Sequence, residues 1–197
     1  MKLLTYKIKK FETPQIGVLQ NQLVYNLNNC FGNISLLDLI QLKDYQDQVA
    51  NFISNNDCLK HDIKDITVLP VIPKPTSFRD AYAFRQHVAT SRKNRGSEMI
   101  PEFDQFPVFY FSNHNAMFAD GQNIELMPDH FHRLDYELEF AIVIGKGGKN
   151  ILSKDADNHI AGFCILNDLS ARRLQMEEMK LNLGPAKGKD FANVIGP

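Results

Sequence analysis

The stretch Asp135-Tyr136-Glu137-Leu138-Glu139-Phe140-Ala141-Ile142-Val143-Ile144-Gly145 constrains the fold more than any other part of the chain. Its aromatic and β-branched residues, closed by a glycine, predict a buried strand. Side chains two apart on a strand share a face, so Glu137 and Glu139 point one way while Tyr136, Leu138 and Phe140 point the other. Two like charges side by side in a buried strand are costly unless a cation neutralises them or a proton stays bound. A hard divalent cation meets that demand. An edge strand with both acids in water meets it equally well, and the stretch alone leaves the two readings open.

The rest of the sequence excludes several classes. At 197 residues, 44% apolar and 23% charged, the composition is that of an ordinary globular protein. A formal net charge of -1, without a long Lys/Arg cluster, argues against nucleic acid or an anionic membrane as the main partner. Lysines interrupt residues 1–10 too often for a secretory signal, and no apolar run reaches membrane-spanning length, so a cytoplasmic location is expected. Cys30, Cys58 and Cys164 are widely spaced and lack a CxxC pattern, which predicts reduced, packed thiols.

Residues 1–28 carry short β-type runs, with 16–19 and 23–27 flanking Gln20-Asn21-Gln22 as a hairpin. Ser35, three residues before Asp38, marks a helix start, and residues 45–54 predict a helix with Val49, Phe52 and Ile53 on its apolar side. Pro70, Pro73 and Pro75 favour an extended connector and place a domain boundary near residue 70. Two domains are therefore expected, a small β/α domain over 1–70 and a larger one over 71–197. Ser77 is positioned to cap a helix over about 78–94, which would carry Asp80, Phe84, His87 and Ser91 on one face. A surface helix with a solvated acid and histidine fits that pattern too. Strands are expected at 107–111, 124–126 and 160–166, the last ending at Asn167-Asp168, then a helix over 170–180 projecting Arg172 and Gln175. Gly145-Lys146-Gly147-Gly148 lacks Walker spacing and is read as a turn, and residues 184–191 are read as a glycine-rich loop with two lysines.

Asp80, Glu137, Glu139 and Asp168 are carboxylates in or beside apolar elements, and oxygen-only ligation suits Mg²⁺, Mn²⁺ or Ca²⁺. His130-Phe131-His132 offers an alternating pair that could suit zinc, but no third ligand accompanies it.

Five ordered blocks then resemble the signature blocks of the fumarylacetoacetate hydrolase family. They are Ser77-Phe78-Arg79-Asp80-Ala81-Tyr82-Ala83-Phe84-Arg85-Gln86-His87, Pro107-Val108-Phe109-Tyr110, Leu134-Asp135-Tyr136-Glu137-Leu138-Glu139, Leu166-Asn167-Asp168-Leu169-Ser170-Ala171-Arg172, and Leu183-Gly184-Pro185-Ala186-Lys187-Gly188-Lys189-Asp190-Phe191. The resemblance implies a mainly β, α+β fold, a mixed β-sheet roll with a small N-terminal β domain, in a homodimer. It implies metal ligation by Asp80, Glu137, Glu139 and Asp168, with Mg²⁺ the first choice and Mn²⁺ or Ca²⁺ alternatives. His87 falls on the catalytic histidine that activates water. Tyr82, Tyr110, Arg172, Gln175 and Lys189 fall on substrate-contacting positions, Arg172 and Lys189 nearest the developing charge. Leu169 and Arg173 replace the tryptophan and acid common in the family's fourth block, which predicts altered packing or specificity. The family also continues through further strands beyond the equivalent of Pro197, so the chain is read as truncated at its C-terminus.

The residue types suit that chemistry. Cleaving a carbon–carbon bond between two carbonyls needs a nucleophilic water, a sink for the departing enolate and cations for the acid ends of the substrate. The expected activity is metal-dependent hydrolysis of a 1,3-diketone acid of the fumarylacetoacetate or acylpyruvate type, as in aromatic amino acid catabolism. The alternatives are 2-oxoacid decarboxylation, keto–enol isomerisation, or a non-catalytic truncated relative.

Overall fold

Alternating apolar runs in the first third of the chain pair with their sequence neighbours and build one sheet. The computed structural model describes residues 1–9, 13–55, 58–182 and 185–197. Strands β1 (Lys2–Ile8), β2 (Gln15–Gln20) and β3 (Leu23–Asn26) form an antiparallel meander, and Asn21, at a positive φ of 56°, makes the predicted hairpin turn. Three helices follow, α1 (Asn28–Phe31), α2 (Leu36–Leu39) and α3 (Tyr45–Ser54). Ser35 and Asp38 close a reciprocal capping box on α2, and α3 turns Val49, Phe52 and Ile53 toward the core. Strands β4 (Lys60–Asp62) and β5 (Ile66–Val68) complete the sheet in the order β4-β3-β2-β1-β5.

The proline-rich connector contains no helix or strand, and it is packed rather than loose. Val71 and Ile72 are buried, and Thr5 Oγ1 donates to the Val71 carbonyl at 2.8 Å. Beyond it come β6 (Arg79–Asp80), α4 (Arg85–Asn94), β7 (Tyr110–Phe111), β8 (Met117–Phe118), β9 (Leu134–Ile144), β10 (Ile160–Ala171), α5 (Arg172–Met179), α6 (Ala186–Lys189) and β11 (Asn193–Ile195). A four-stranded sheet runs β8-β11-β10-β9, with β8 and β11 parallel and the other pairs antiparallel; β6 and β7 pair separately. These mixed sheets with interspersed helices are the mainly β, α+β class expected. One hydrophobic cluster joins the two halves: Ile16, Val18, Leu27, Leu39 and Val49 pack with Cys164, Leu166 and Ile195. Each such side chain, fully buried, contributes about 1.5–3 kcal/mol. Gly145 permits this close approach, since a Cβ there would come within 2.7 Å of Ala161 Cβ and 3.4 Å of the Ile40 carbonyl. No helix among the described residues is long and apolar enough to cross a membrane.

Several local expectations are corrected. Residues 78–94 are not one helix: Arg79 and Asp80 pair with Phe111 and Tyr110, the Arg79 guanidinium lies over Phe109 and Phe111, and α4 starts only at Arg85. Cross-strand pairing there outweighs the capping tendency of Ser77. Residues 124–126 form no strand, the strand expected over 107–111 shrinks to Tyr110–Phe111, and Met117–Phe118 pairs with β11 instead. β10 runs on to Ala171, which puts Asp168 inside the strand instead of at its end. Ala186–Lys189 is a short helix within the expected loop, while Leu183 and Gly184 lie outside the described residues. The acidic strand itself is not buried on both faces. β9 is an edge strand among the described residues, with Tyr136, Leu138 and Phe140 at 62%, 71% and 64% exposure, whereas Glu137 and Glu139 are half-buried.

Candidate functional site

The inner face of the β9–β10 pair changes character along its length. Cross-strand partners run from Ala141/Cys164, in the core, through Glu139/Leu166 to Glu137/Asp168 and Asp135/Ser170. The apolar end fixes both strands, so the acids are carried on a rigid support. Asp168 is 2% exposed. Asp80 arrives from β6, directly opposite Tyr110 on β7, and the Tyr110 hydroxyl donates to Asp80 Oδ2 at 2.5 Å and to Asp168 Oδ2 at 3.4 Å. One oxygen from each of Asp80, Glu139 and Asp168 lies within 4.8 Å of the others.

Two cations enter from the C-terminal side. Lys189, 2% exposed, donates from Nζ to Glu137 Oε2 at 2.7 Å and to Asp168 Oδ2. Arg172, first residue of α5, donates from Nη1 to Glu137 Oε1 at 2.8 Å and to Gln175 Oε1 at 3.3 Å, and from Nε to Asp135 Oδ2 at 2.9 Å. Both oxygens of Glu137 are therefore engaged by cations. The structure brings three of the four predicted ligands together and places the fourth between Arg172 and Lys189.

This arrangement separates the carboxylates electrostatically. Glu139 makes no ion pair among the described residues; burial, then the charges of Asp80, Asp168 and Glu137, push it up to about 8. Burial also raises Asp168, to about 6, while Lys189 opposes the rise. Burial alone would raise Glu137, but Lys189 and Arg172 bring it below its ordinary value. The Tyr110 phenol is held far above its usual range by burial and by Asp168 and Asp80. Without a cation, Glu139 keeps a proton at neutral pH.

The donor set fits a hard divalent cation. It consists of oxygens only, which suits Mg²⁺, Mn²⁺ or Ca²⁺ and disfavours zinc. Asp168 Oδ1 and the Oδ1 of Asn193, directly opposite it on β11, are buried acceptors without a hydrogen-bond partner among the described residues. Acceptors left over beside an excess of negative charge are what such an ion satisfies.

Other predicted residues stand apart. Tyr82 is exposed and stacks on Phe103 with ring centroids 6.2 Å apart. His87 is exposed on α4 and makes no hydrogen bond or ion pair among the described residues; the helix face expected to carry it together with Asp80 does not exist. His130 is buried against Phe191, centroids 4.0 Å apart, with Nδ1 accepting from the Met127 amide at 3.3 Å. His132 is exposed, and neither histidine joins the carboxylate group. Arg173 turns away from the acids to pair with Glu177 at 3.1 Å. Asp135 and Asn193 were not foreseen at the site. Asp135 was legible as the residue two before Glu137 on the same strand face, whereas Asn193 is placed only by strand register.

Residues 76–197 match the family described as Fumarylacetoacetate (FAA) hydrolase C-terminal. The fumarylacetoacetase of Oryza sativa subsp. japonica is 34% identical over 113 residues, covering 49% of this chain and 26% of that protein. The oxaloacetate tautomerase of Bacillus subtilis is 29% identical over 138 residues, covering 70% of this chain and 44% of that protein. A maleylpyruvate hydrolase from a Sphingobium species, solved with manganese(II) and pyruvate, shares the fold at a TM-score of 0.69 and 15% identity, covering all of this chain and 66% of that one. The chain thus spans less than half the length of these two curated relatives. With the family match extending over more than half of the sequence, and with its carboxylates and cations gathered on one sheet face, the chain belongs to the fumarylacetoacetate hydrolase C-terminal family.

Proposed function

We propose that the site binds a divalent cation, Mg²⁺ or Mn²⁺, together with a small diketo acid, and that it hydrolyses the carbon–carbon bond between the two carbonyls. The observation that carries the reading is the buried Lys189 ammonium, fixed between Glu137 and Asp168 beside the Asp80–Glu139–Asp168 cluster. Asp80, Glu139 and Asp168 would hold the cation, which would supply Lewis-acid polarisation of the substrate carbonyls. Lys189 has three N–H donors and uses two on carboxylates, leaving one for the negative charge that develops on a departing enolate. Arg172 Nη2 makes no hydrogen bond among the described residues, so its two N–H groups are available to a substrate carboxylate. Tyr110 and Gln175 hold the acids and the guanidinium in place, and His87 is assigned the activation of water.

A second reading is keto–enol tautomerisation. It is favoured by the position of His87, exposed and without an orienting partner among the described residues, because tautomerisation moves a proton and needs no activated water. The likeness to an oxaloacetate tautomerase over 70% of the chain supports it as well. Product analysis by NMR, with acetylpyruvate and oxaloacetate as substrates and Mg²⁺ or Mn²⁺ present, separates the readings. Hydrolysis yields two acids and is lost in His87→Ala; tautomerisation changes the enol fraction without new carbon fragments; decarboxylation releases CO₂. Wild-type rates in Lys189→Ala would refute the hydrolase and tautomerase readings alike.

We also propose a second copy of the chain as partner. Tyr136, Leu138, Phe140, Ile142, Ile144, Phe163 and Ile165 are each more than half exposed on the outer face of β9 and β10. Together they present on the order of 700 Å² of apolar surface, close to the ~800 Å² that each partner contributes to a standard stable interface.

A further inference from the structure

α5 sends side chains to two places. Arg172 and Gln175, one turn apart, turn toward the acids. Glu178, the next turn on, reaches α6: Oε1 accepts from the Lys187 amide and Oε2 from the Gly188 amide, each at 2.9 Å. α6 has only four residues, and Pro185 at its N-cap supplies no side-chain hydrogen bond. A helix that short does not hold itself together, and its first amides need acceptors from elsewhere. Glu178 supplies both from a single carboxylate. Beside it the two helices touch through backbone, since a Cβ on Gly188 would lie 2.7 Å from Gln175 N and Cβ and 2.8 Å from its Cα. Lys189 is the next residue.

We infer that Glu178 is a positioning residue for Lys189: its bidentate grip on Lys187 and Gly188 fixes α6 so that the Lys189 ammonium meets Glu137 and Asp168 at a set distance from Arg172. Both Glu178 oxygens are occupied by amides, so it acts through Lys189 and not on the substrate. The inference rests on the proposed role of Lys189 in holding negative charge during the reaction.

The test is a double-mutant cycle on the full chain with Mg²⁺ and acetylpyruvate or oxaloacetate, paired with lysine acetylation read by mass spectrometry. A misplacement on the order of 1 Å costs roughly 100-fold in rate, so Glu178→Ala is expected to lower kcat by about 10- to 100-fold with KM within about twofold. Glu178→Gln, which keeps one acceptor, falls between. In a Lys189→Ala background Glu178→Ala is expected to cost less than about twofold more, because the group it positions is gone. Lys189, buried in the wild type, is expected to acetylate several-fold faster in Glu178→Gln, a readout that needs neither turnover nor the harsher variant. Additive losses in the double variant, wild-type kcat in Glu178→Ala, or unchanged Lys189 labelling in Glu178→Gln would each overturn the inference while leaving the role of Lys189 intact. Wild-type kcat in Lys189→Ala would overturn that role first, and the inference with it.

Discussion

Adding Mg²⁺ or Mn²⁺ to the ion-free protein is expected to release about one proton per ion at pH 7. Glu139, pushed up to about 8 by burial and by its acidic neighbours, carries a proton in about nine-tenths of the molecules at that pH, and Asp168, at about 6, adds about a tenth. A cation needs both carboxylates bare, so those protons leave as it enters. At pH 9 the release falls to about a tenth of a proton. The apparent Kd accordingly weakens about tenfold per pH unit below 8 and about a hundredfold per unit below 6, where two protons must leave. Titration calorimetry at fixed pH in buffers of different ionisation enthalpy counts the protons directly. No release at pH 7, or a Kd constant from pH 6 to 9, would refute the assignment of Glu139 and Asp168 as ligands.

The same groups set the stability of the ion-free protein. Both carboxyls are raised above their unfolded values, so between those values and about 8 the folded form holds protons that the unfolded form has lost; stability is expected to fall as pH rises from 5 to 8, and melting in EDTA across that range checks it. The lowered Glu137 acts in the opposite sense, its contribution being lost as pH falls below the ordinary carboxylate range. Lys189→Met leaves the buried Asp168 and half-buried Glu137 without their shared cation and is expected to destabilise the ion-free protein by on the order of 3 kcal/mol, with Mg²⁺ restoring much of it; a melt indifferent to the substitution would contradict the burial argument. Phe140→Asp with Ile165→Asp places charge in the outer apolar face, and sedimentation is expected to show a dimer becoming a monomer; a wild-type monomer at every concentration would overturn the second copy as partner.

How much of this the sequence disclosed depends on the range of the determining contacts. The period-two alternation of residues 135–144 placed Glu137 and Glu139 on one face and Tyr136, Leu138 and Phe140 on the other, as the structure has them. It did not reveal which face would be covered, because burial belongs to the partner layer and not to the strand, and the same apolar richness that predicted a buried strand lies in the open. The capping box at Ser35 and Asp38 and the hairpin at Asn21 were legible because their partners lie within three residues. Ser77 misled for the complementary reason: Asp80 is claimed by Tyr110, thirty residues on, a contact that no local preference encodes. Asn193 and Glu178 were invisible to motif reasoning, one placed by register and the other bonded only to backbone amides.

The charge balance explains why these long-range contacts matter. Among the described residues, Asp80, Asp135, Glu137, Glu139 and Asp168 gather around two paired cations, Arg172 and Lys189, which are engaged by Asp135, Glu137 and Asp168. Asp80 and Glu139 have no cation of their own among the described residues, so the excess negative charge is concentrated at the cluster that Asp168 shares with them. One proton on Glu139 relieves part of that excess, whereas a divalent ion would relieve more. On the proposed reading, an anionic oxo acid would meet net negative charge at the ion-free site, and a bound divalent ion would lower that barrier. Ion first and acid second is therefore the expected order of binding, and calorimetry that detects the acid equally well with and without Mg²⁺ would overturn it.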